Sequence, residues 1–292
     1  FFIYYSMFGF QRTGDQAWQF GDQRGRGFMI GATSGRTTLN GEGLQHEDGH
    51  SHLLAATHPT CKAYDPAYAY EIAIIMQDGI KRILEDEEEG FYYITVCNEN
   101  YLMPAMPKGV EQGILDGLYP LKPSTLKKAK HKATLFGSGS ILNSVLSAQE
   151  ILADQYGVAA DVWSATSYCQ LRREALACER WNMLHPTKKA KVPKVTTILS
   201  QVEGPVVAAS DYVADVPNQI ARWVPGGLFV LGTDGFGRSD TREALRRHFE
   251  VDEECIVIAV LKQLADRGEL DPKVVSKAIK ELGWSGIHDK ST

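Results

Sequence analysis

Short apolar, aromatic-rich runs alternate along this chain with longer stretches of mixed character. Phe1 to Tyr5, Gly27 to Ala32 and Phe91 to Cys97 are crowded with aromatic and branched side chains, which suits strands. Gln11 to Gln23 separates the first two runs, and Asp65 to Leu84 precedes the third. Both are long enough for helices, and the second places Tyr68, Ile72, Ile75, Gly79 and Leu84 near helical spacing. The alternation predicts a mostly parallel sheet covered by helices.

Residues 103–132 break that rhythm with Pro104, Pro107, Pro120 and Pro123, then Lys127, Lys128, Lys130 and Lys132. Proline punctuation followed by solvated charge marks a domain connection, and a boundary is expected near residue 123, dividing the chain into 1–123 and 124–292. The alternation then resumes. Ala133 to Gly137, Asp161 to Ala165, Pro205 to Ala209 and Leu228 to Gly232 read as strands; Ile141 to Tyr156, Gln170 to Met183 and Tyr212 to Trp223 read as helices. Ser239 or Asp240 can cap a helix over Arg242 to Phe249, and Asp271 with Pro272 opens a last helix ending near Gly283. A second α/β unit is expected, and no fixed short repeat suggests a solenoid.

One segment fits neither core nor element. Residues 35–52, Gly-Arg-Thr-Thr-Leu-Asn-Gly-Glu-Gly-Leu-Gln-His-Glu-Asp-Gly-His-Ser-His, pack His46, His50, His52, Glu42, Glu47 and Asp48 among four glycines. Glycine allows close backbone approach to a ligand, and histidine trades protons near neutral pH, so an active-site loop is one reading. A solvated surface loop is a second. Metal is a third, because His-x3-His-x-His beside carboxylates offers plausible ligands, although the glycines argue against the helix that would make them converge. Composition leaves these open.

The whole chain sets bounds. Its 292 residues suffice for two domains, and 43% hydrophobic with 23% charged content excludes wholesale disorder and collagen-like structure. A net charge of −5 gives no basic footprint for nucleic acid, and no run of 18 apolar residues offers a spanning helix, so a protein without nucleic-acid or membrane partners is expected. Five scattered cysteines without a Cys-x-x-Cys pair suggest neither a disulfide framework nor a zinc ribbon, so a reducing, cytoplasmic setting is the default. The start lacks a signal peptide and an initiator Met and opens inside a strand-like run, as expected of part of a longer protein.

Several pieces form a distinctive ordered set. They are Tyr-Tyr-Ser-Met-Phe-Gly-Phe-Gln-Arg over residues 4–12, the loop Thr37 to His52, Tyr64-Asp65-Pro66-Ala67, Asn98-Glu99-Asn100, and Gly-Thr-Asp-Gly-Phe-Gly-Arg-Ser-Asp over residues 232–240. Together they resemble the bacterial homodimeric pyruvate dehydrogenase family, the decarboxylating first component of the pyruvate dehydrogenase complex. The resemblance runs from Phe1 to about Gly283. It implies an α/β, transketolase-like thiamin-diphosphate enzyme, of which this chain holds a partial pyrimidine-binding domain followed by a C-terminal α/β domain. The magnesium motif and the glutamate that activates the pyrimidine in the family are expected upstream of Phe1.

On that resemblance, Phe8 corresponds to the aromatic that stacks on the aminopyrimidine, although in a run with Phe1, Phe2 and Phe10 it would otherwise read as core. Tyr5 corresponds to a phenol near the substrate carboxylate, and Arg12 lies close enough in sequence to orient carboxylates. His46 corresponds to the catalytic-loop histidine and Glu42 to an acidic residue beside it; His50 and His52 carry no implied role beyond ordering the loop. None of these positions is expected to bind metal. The implied cofactors are thiamin diphosphate and Mg2+, the substrate is pyruvate, and the partners are a second subunit and the lipoyl domain of dihydrolipoyl acetyltransferase. The implied reaction is oxidative decarboxylation with reductive acetylation of the lipoyl group, feeding acetyl-CoA synthesis. Rival readings are a transketolase, a 2-oxoglutarate dehydrogenase, or a noncatalytic dimerisation and assembly module.

Two motifs remain. Residues 232–240 invite a phosphate-loop reading but lack both glycine-rich spacings, so turn, capping and domain contact are expected. His185, beside Pro186 after a helix, is expected to be structural.

Overall fold

The computed structural model describes residues 1–284; residues 285–292 of the expected 124–292 unit lie outside the described residues. The first sheet comprises β1 (Phe2–Tyr5), β2 (Arg26–Ala32), β3 (Cys61–Tyr64) and β4 (Gly90–Thr95), ordered β1-β2-β4-β3 with every pair parallel. Helices α1 (Gly9–Asp22), α2 (Ser51–Thr57), α3 (Ala69–Leu84) and α4 (Glu111–Asp116) accompany it. Side chains alternate across its central strand: Phe91 and Tyr93 pack with Phe10 and Ala17 of α1 and Ala55 of α2, whereas Tyr92 and Ile94 pack with Ile75 of α3 and Ile114 of α4. Such burial on both faces accounts for the unbroken apolar run that marked β4, and each large side chain contributes about 1.5–3 kcal/mol.

The second sheet comprises β5 (Tyr119–Lys122), β6 (His131–Gly137), β7 (Val158–Ser164), β8 (Val206–Ala209) and β9 (Leu228–Leu231), ordered β5-β7-β6-β8-β9. All neighbours are parallel except β5, an antiparallel edge against β7. Helices α5 (Leu142–Tyr156), α6 (Tyr168–Leu184), α7 (Lys194–Leu199), α8 (Asp215–Asn218), α9 (Arg242–His248), α10 (Glu253–Asp266) and α11 (Pro272–Glu281) complete the unit. Leu135, Val162 and Val207 face α5 and α10, while Phe136, Val206 and Ala208 face α6 and α7.

Several elements depart from the sequence pattern for local reasons. The expected helix from Asp65 begins only at Ala69, because Asp65 and Pro66 form the loop after β3, a strand too short to announce itself. Residues 51–57, taken into the polar loop at their start, are helical. The proline-rich stretch holds α4 and β5, and β5, ahead of residue 123, is bonded into the second sheet. The expected helix Tyr212 to Trp223 contains only the single turn α8 and a 3-10 turn. Thr241, rather than Ser239 or Asp240, caps α9 by accepting from Ala244 N. Asp271 caps α11 with Pro272 in its first turn, as the pattern predicts.

The two units meet along a polar seam. Glu71, fully buried, accepts from Tyr68 N at 3.0 Å and Ala67 N at 2.5 Å with one oxygen, and from Tyr119 and Ser164 hydroxyls at 2.6 Å each with the other. Tyr70 donates in turn to the Tyr119 oxygen at 2.7 Å. Burial pushes the Glu71 carboxyl pKa up, against the lowering effect of these four bonds.

Candidate active site

Parallel α/β sheets hold ligands at the carboxyl ends of their strands, and β1 ends at Tyr5. Ser6 N donates to Ala32 O at 2.9 Å and Phe8 N to Tyr5 O at 2.9 Å, which turns the chain sharply into α1. Gly9 is required at this turn, since a Cβ there would lie 1.7 Å from the Tyr4 ring. Phe10 consequently drops into the core while Phe8 stays half-buried at the mouth.

Across from this turn, residues 33–50 leave β2 and reach α2 through a single 3-10 turn, Leu44–His46. The His46 ring comes to rest edge-on to Phe8, with centroids 5.1 Å apart, and tilted against Tyr5 at 5.3 Å. Tyr5 and Phe8 are 5.7 Å apart, and the Arg12 guanidinium lies 4.0 Å over the Phe8 ring. His46 Nδ1 faces Glu42 Oε2 at 3.2 Å. Tyr5, Phe8, Arg12, Glu42 and His46 thus converge, and Tyr5, 44% exposed, opens the group to solvent.

The other loop histidines diverge. His50 meets Gln11 of α1. His52 points inward, its Nε2 3.0 Å from Thr95 Oγ1, and Thr95 donates to Asp65 Oδ1 at 2.7 Å. Burial lowers the His52 pKa and raises that of Asp65, so both are held toward neutrality beneath the site. With three histidines on three different partners, the loop does not gather them around a metal. Among the described residues, no group of three His, Cys, Asp or Glu side chains is placed to hold one.

A buried layer underlies the loop that sequence patterns did not reveal. Arg36 donates to the carbonyls of Thr233 and Gly235, and Thr37 N donates to Asp211 Oδ1 at 3.0 Å. Glu47 Oε2 accepts from Arg238 N. Arg246 pairs with Glu99 and approaches the Thr37 hydroxyl at 3.4 Å. Burial pushes the Glu47 and Asp211 carboxyls each up to about 7. Residues 232–240 are therefore a contact between the units with turn geometry. Partners so far apart in the chain leave no local pattern; the only hint was an excess of charge beside glycines. His185 stacks on Trp181 at 4.5 Å and bonds to its carbonyl oxygen at 2.8 Å, a structural role.

Comparison with known proteins gives this geometry a context. A family model described as the pyruvate dehydrogenase E1 component middle domain matches residues 1–104, and one for the transketolase-like TK C-terminal domain matches residues 117–252. The pyruvate dehydrogenase E1 component of Pseudomonas aeruginosa is 56% identical over 284 residues, covering 97% of this chain and 32% of that protein. That of Escherichia coli K12 is 57% identical over the same span. Over nearly its whole length the chain is similar to pyruvate dehydrogenase E1 components. It spans about a third of the length of these curated relatives. Transketolase structures share the fold: that from Leishmania mexicana has a TM-score of 0.65 at 13% identity, covering 90% of this chain and 34% of that one. The Campylobacter jejuni transketolase has a TM-score of 0.62 at 17% identity, with coverage of 89% and 35%. The architecture is therefore transketolase-like, and no helix among the described residues is long and apolar enough to cross a membrane.

Proposed function

We propose that this chain forms part of a thiamin-diphosphate-dependent pyruvate dehydrogenase. In this reading the enzyme decarboxylates pyruvate and passes the acetyl group to the lipoyl group of a dihydrolipoyl acetyltransferase, within a cytoplasmic multienzyme complex. The observation that carries it is the convergence of Tyr5, Phe8, Arg12, Glu42 and His46 at the end of β1, in a chain more than half identical to E1 components. We take the working unit to be a homodimer. We draw the division between the units within residues 105–116, between the two matched stretches, which keeps β5 with its own sheet.

The residues present fit one wall of such a cofactor site. Phe8 offers a half-buried ring for a flat heteroaromatic, and Arg12 and Tyr5 bring a cation and a phenol suited to a carboxylate substrate. Among the described residues no group of three His, Cys, Asp or Glu side chains is placed to hold a metal, and we assign the Mg2+ site to parts of the protein outside this chain. Thiamin diphosphate, when bound, supplies the electron sink for cleavage of the carboxyl carbon. Tyr5 then donates a hydrogen bond to negative charge on the substrate, and Arg12 orients its carboxylate. With Nδ1 donating to Glu42, His46 keeps Nε2 free to take up or return a proton.

The test is turnover of the full-length enzyme with pyruvate, 2-oxoglutarate and ketose phosphates. Pyruvate is expected to be the substrate used; preference for either of the others overturns the assignment. Titration of this 292-residue chain alone with thiamin diphosphate and Mg2+ is expected to show no tight binding.

A further inference from the structure

His46 and Glu42 project from the first α/β unit, but the short arch that bears them rests on the second. At one end of the arch, Gly41 N donates to Asp240 O at 2.9 Å, Arg242 N to Asn40 Oδ1 at 2.9 Å, and Arg242 Nε to Thr38 O at 2.7 Å. At the other end, Arg238 N donates to Glu47 Oε2. Residues 42–46 hang between these two feet, and both feet stand on residues 238–242. Glu47 is wholly buried while Glu42, five residues earlier, is exposed, so Glu47 cannot reach a substrate. An inward carboxylate in this position costs desolvation unless it makes a bond, and the bond it makes is across the seam.

Gly237 permits the contact. A Cβ there would lie 2.6 Å from Leu44 O and 2.8 Å from Glu47 Oε2, so even alanine would lift the arch off its support. Leu44 and Glu47 bracket His46, and the Glu47 N–H closes the 3-10 turn on Leu44 O at 3.3 Å. Displacing either neighbour moves the imidazole.

Resting on the functional reading above, we propose that Glu47, anchored on the Arg238 N–H and packed over Gly237, is the positioning residue through which the second unit holds His46 against Tyr5 and Phe8. Residues 237–242 then act as a platform for a group they never touch, and the second unit takes part in catalysis by fixing geometry. A misplacement of about 1 Å can cost on the order of 10²-fold in rate, so the anchor has leverage on turnover without contact with cofactor.

The experiment compares Glu47→Ala, Glu47→Gln, Gly237→Ala and His46→Ala in the full-length enzyme, reading kcat with pyruvate, the Kd for thiamin diphosphate, and hydrogen exchange over residues 41–47. Glu47→Ala and Gly237→Ala are expected to lower kcat by roughly tenfold or more and to speed exchange in the arch, while Kd stays unchanged because Phe8 is untouched. Glu47→Gln, which keeps an acceptor for Arg238 N, is expected to recover most of that loss. Wild-type kcat and exchange in Glu47→Ala, beside an impaired His46→Ala, overturns the proposal. Glu47→Ala leaves the backbone of residues 237–238 intact, so it decides the matter if Gly237→Ala fails to fold. If His46→Ala keeps full turnover, the catalytic reading of the loop fails separately, and unchanged exchange in Glu47→Ala still sinks the anchor.

Discussion

His46 Nδ1 lies 3.2 Å from Glu42 Oε2 across one 3-10 turn, while the same imidazole is edge-on to Phe8. The carboxylate holds one ring nitrogen, and on the proposed reading the other is the one that moves a proton. Replacing His46 with alanine in the full-length enzyme is therefore expected to lower turnover by roughly 10²-fold or more, the scale of a general acid-base group. Glu42→Gln, which retains an acceptor for Nδ1–H, is expected to lose less. Steady-state assays with pyruvate check both, and a fully active His46→Ala removes this residue from the mechanism.

Phe8 tests the cofactor wall. Its ring is half-buried between Arg12 and His46, and truncation to alanine removes a stacking platform worth about 0.5–1.5 kcal/mol beyond its buried area. The apparent affinity for thiamin diphosphate should weaken by roughly tenfold, with Phe8→Tyr close to wild type. Calorimetric titration of the full-length variants measures this; equal affinities would leave Phe8 as packing only.

Glu71 tests the seam. It satisfies two backbone N–H groups and the hydroxyls of Tyr119 and Ser164, so alanine leaves several buried donors without an acceptor, each costing about 1–3 kcal/mol. Glu71→Ala is expected to lose on the order of 3 kcal/mol or more, and Glu71→Gln less. Shifts in urea midpoint of the intact protein report the difference. Equal midpoints for Glu71→Ala and wild type would show that the seam does not depend on this carboxylate.

Glu47 and Asp211 give stability a pH dependence of definite sign. Burial raises both folded-state values to about 7, while in the unfolded chain such carboxyls titrate near 4. Between those values the folded state binds more protons, so stability is greatest below about pH 4 for these groups and is lost as pH rises through about 7. Urea unfolding of the intact protein from pH 5 to pH 8 should show a decline that flattens in Glu47→Gln and further in Glu47→Gln with Asp211→Asn. Parallel profiles for wild type and variants would contradict it.

Much of the architecture was legible in the residues alone. Apolar runs at 1–5, 27–32 and 91–97 predict β1, β2 and β4; β4 is apolar throughout because it is buried at every position, whereas β1 is an edge strand with Phe2 and Ile3 exposed. Asp271 and Pro272 announce α11 because a cap acts within four residues. The ordered motifs from Tyr4 to Asp240 point to the family whose members match this chain over 97% of its length. They pick out Tyr5, Phe8, Arg12, Glu42 and His46 by resemblance. They do not bring these residues together.

That was decided by tertiary structure, for a physical reason: a contact across 30 or 200 positions depends on how sheets and turns stack, and leaves no local periodicity. Three histidines within seven residues read as one cluster, yet His46 faces Tyr5 and Phe8, His50 faces Gln11, and His52 is drawn inward to Thr95. β5 looked like linker because its proline is tolerated at a sheet edge that only pairing with β7 creates. Glu47 resembled every other carboxylate in the loop until the fold set it beneath the Arg238 amide, where burial rather than sequence sets it apart.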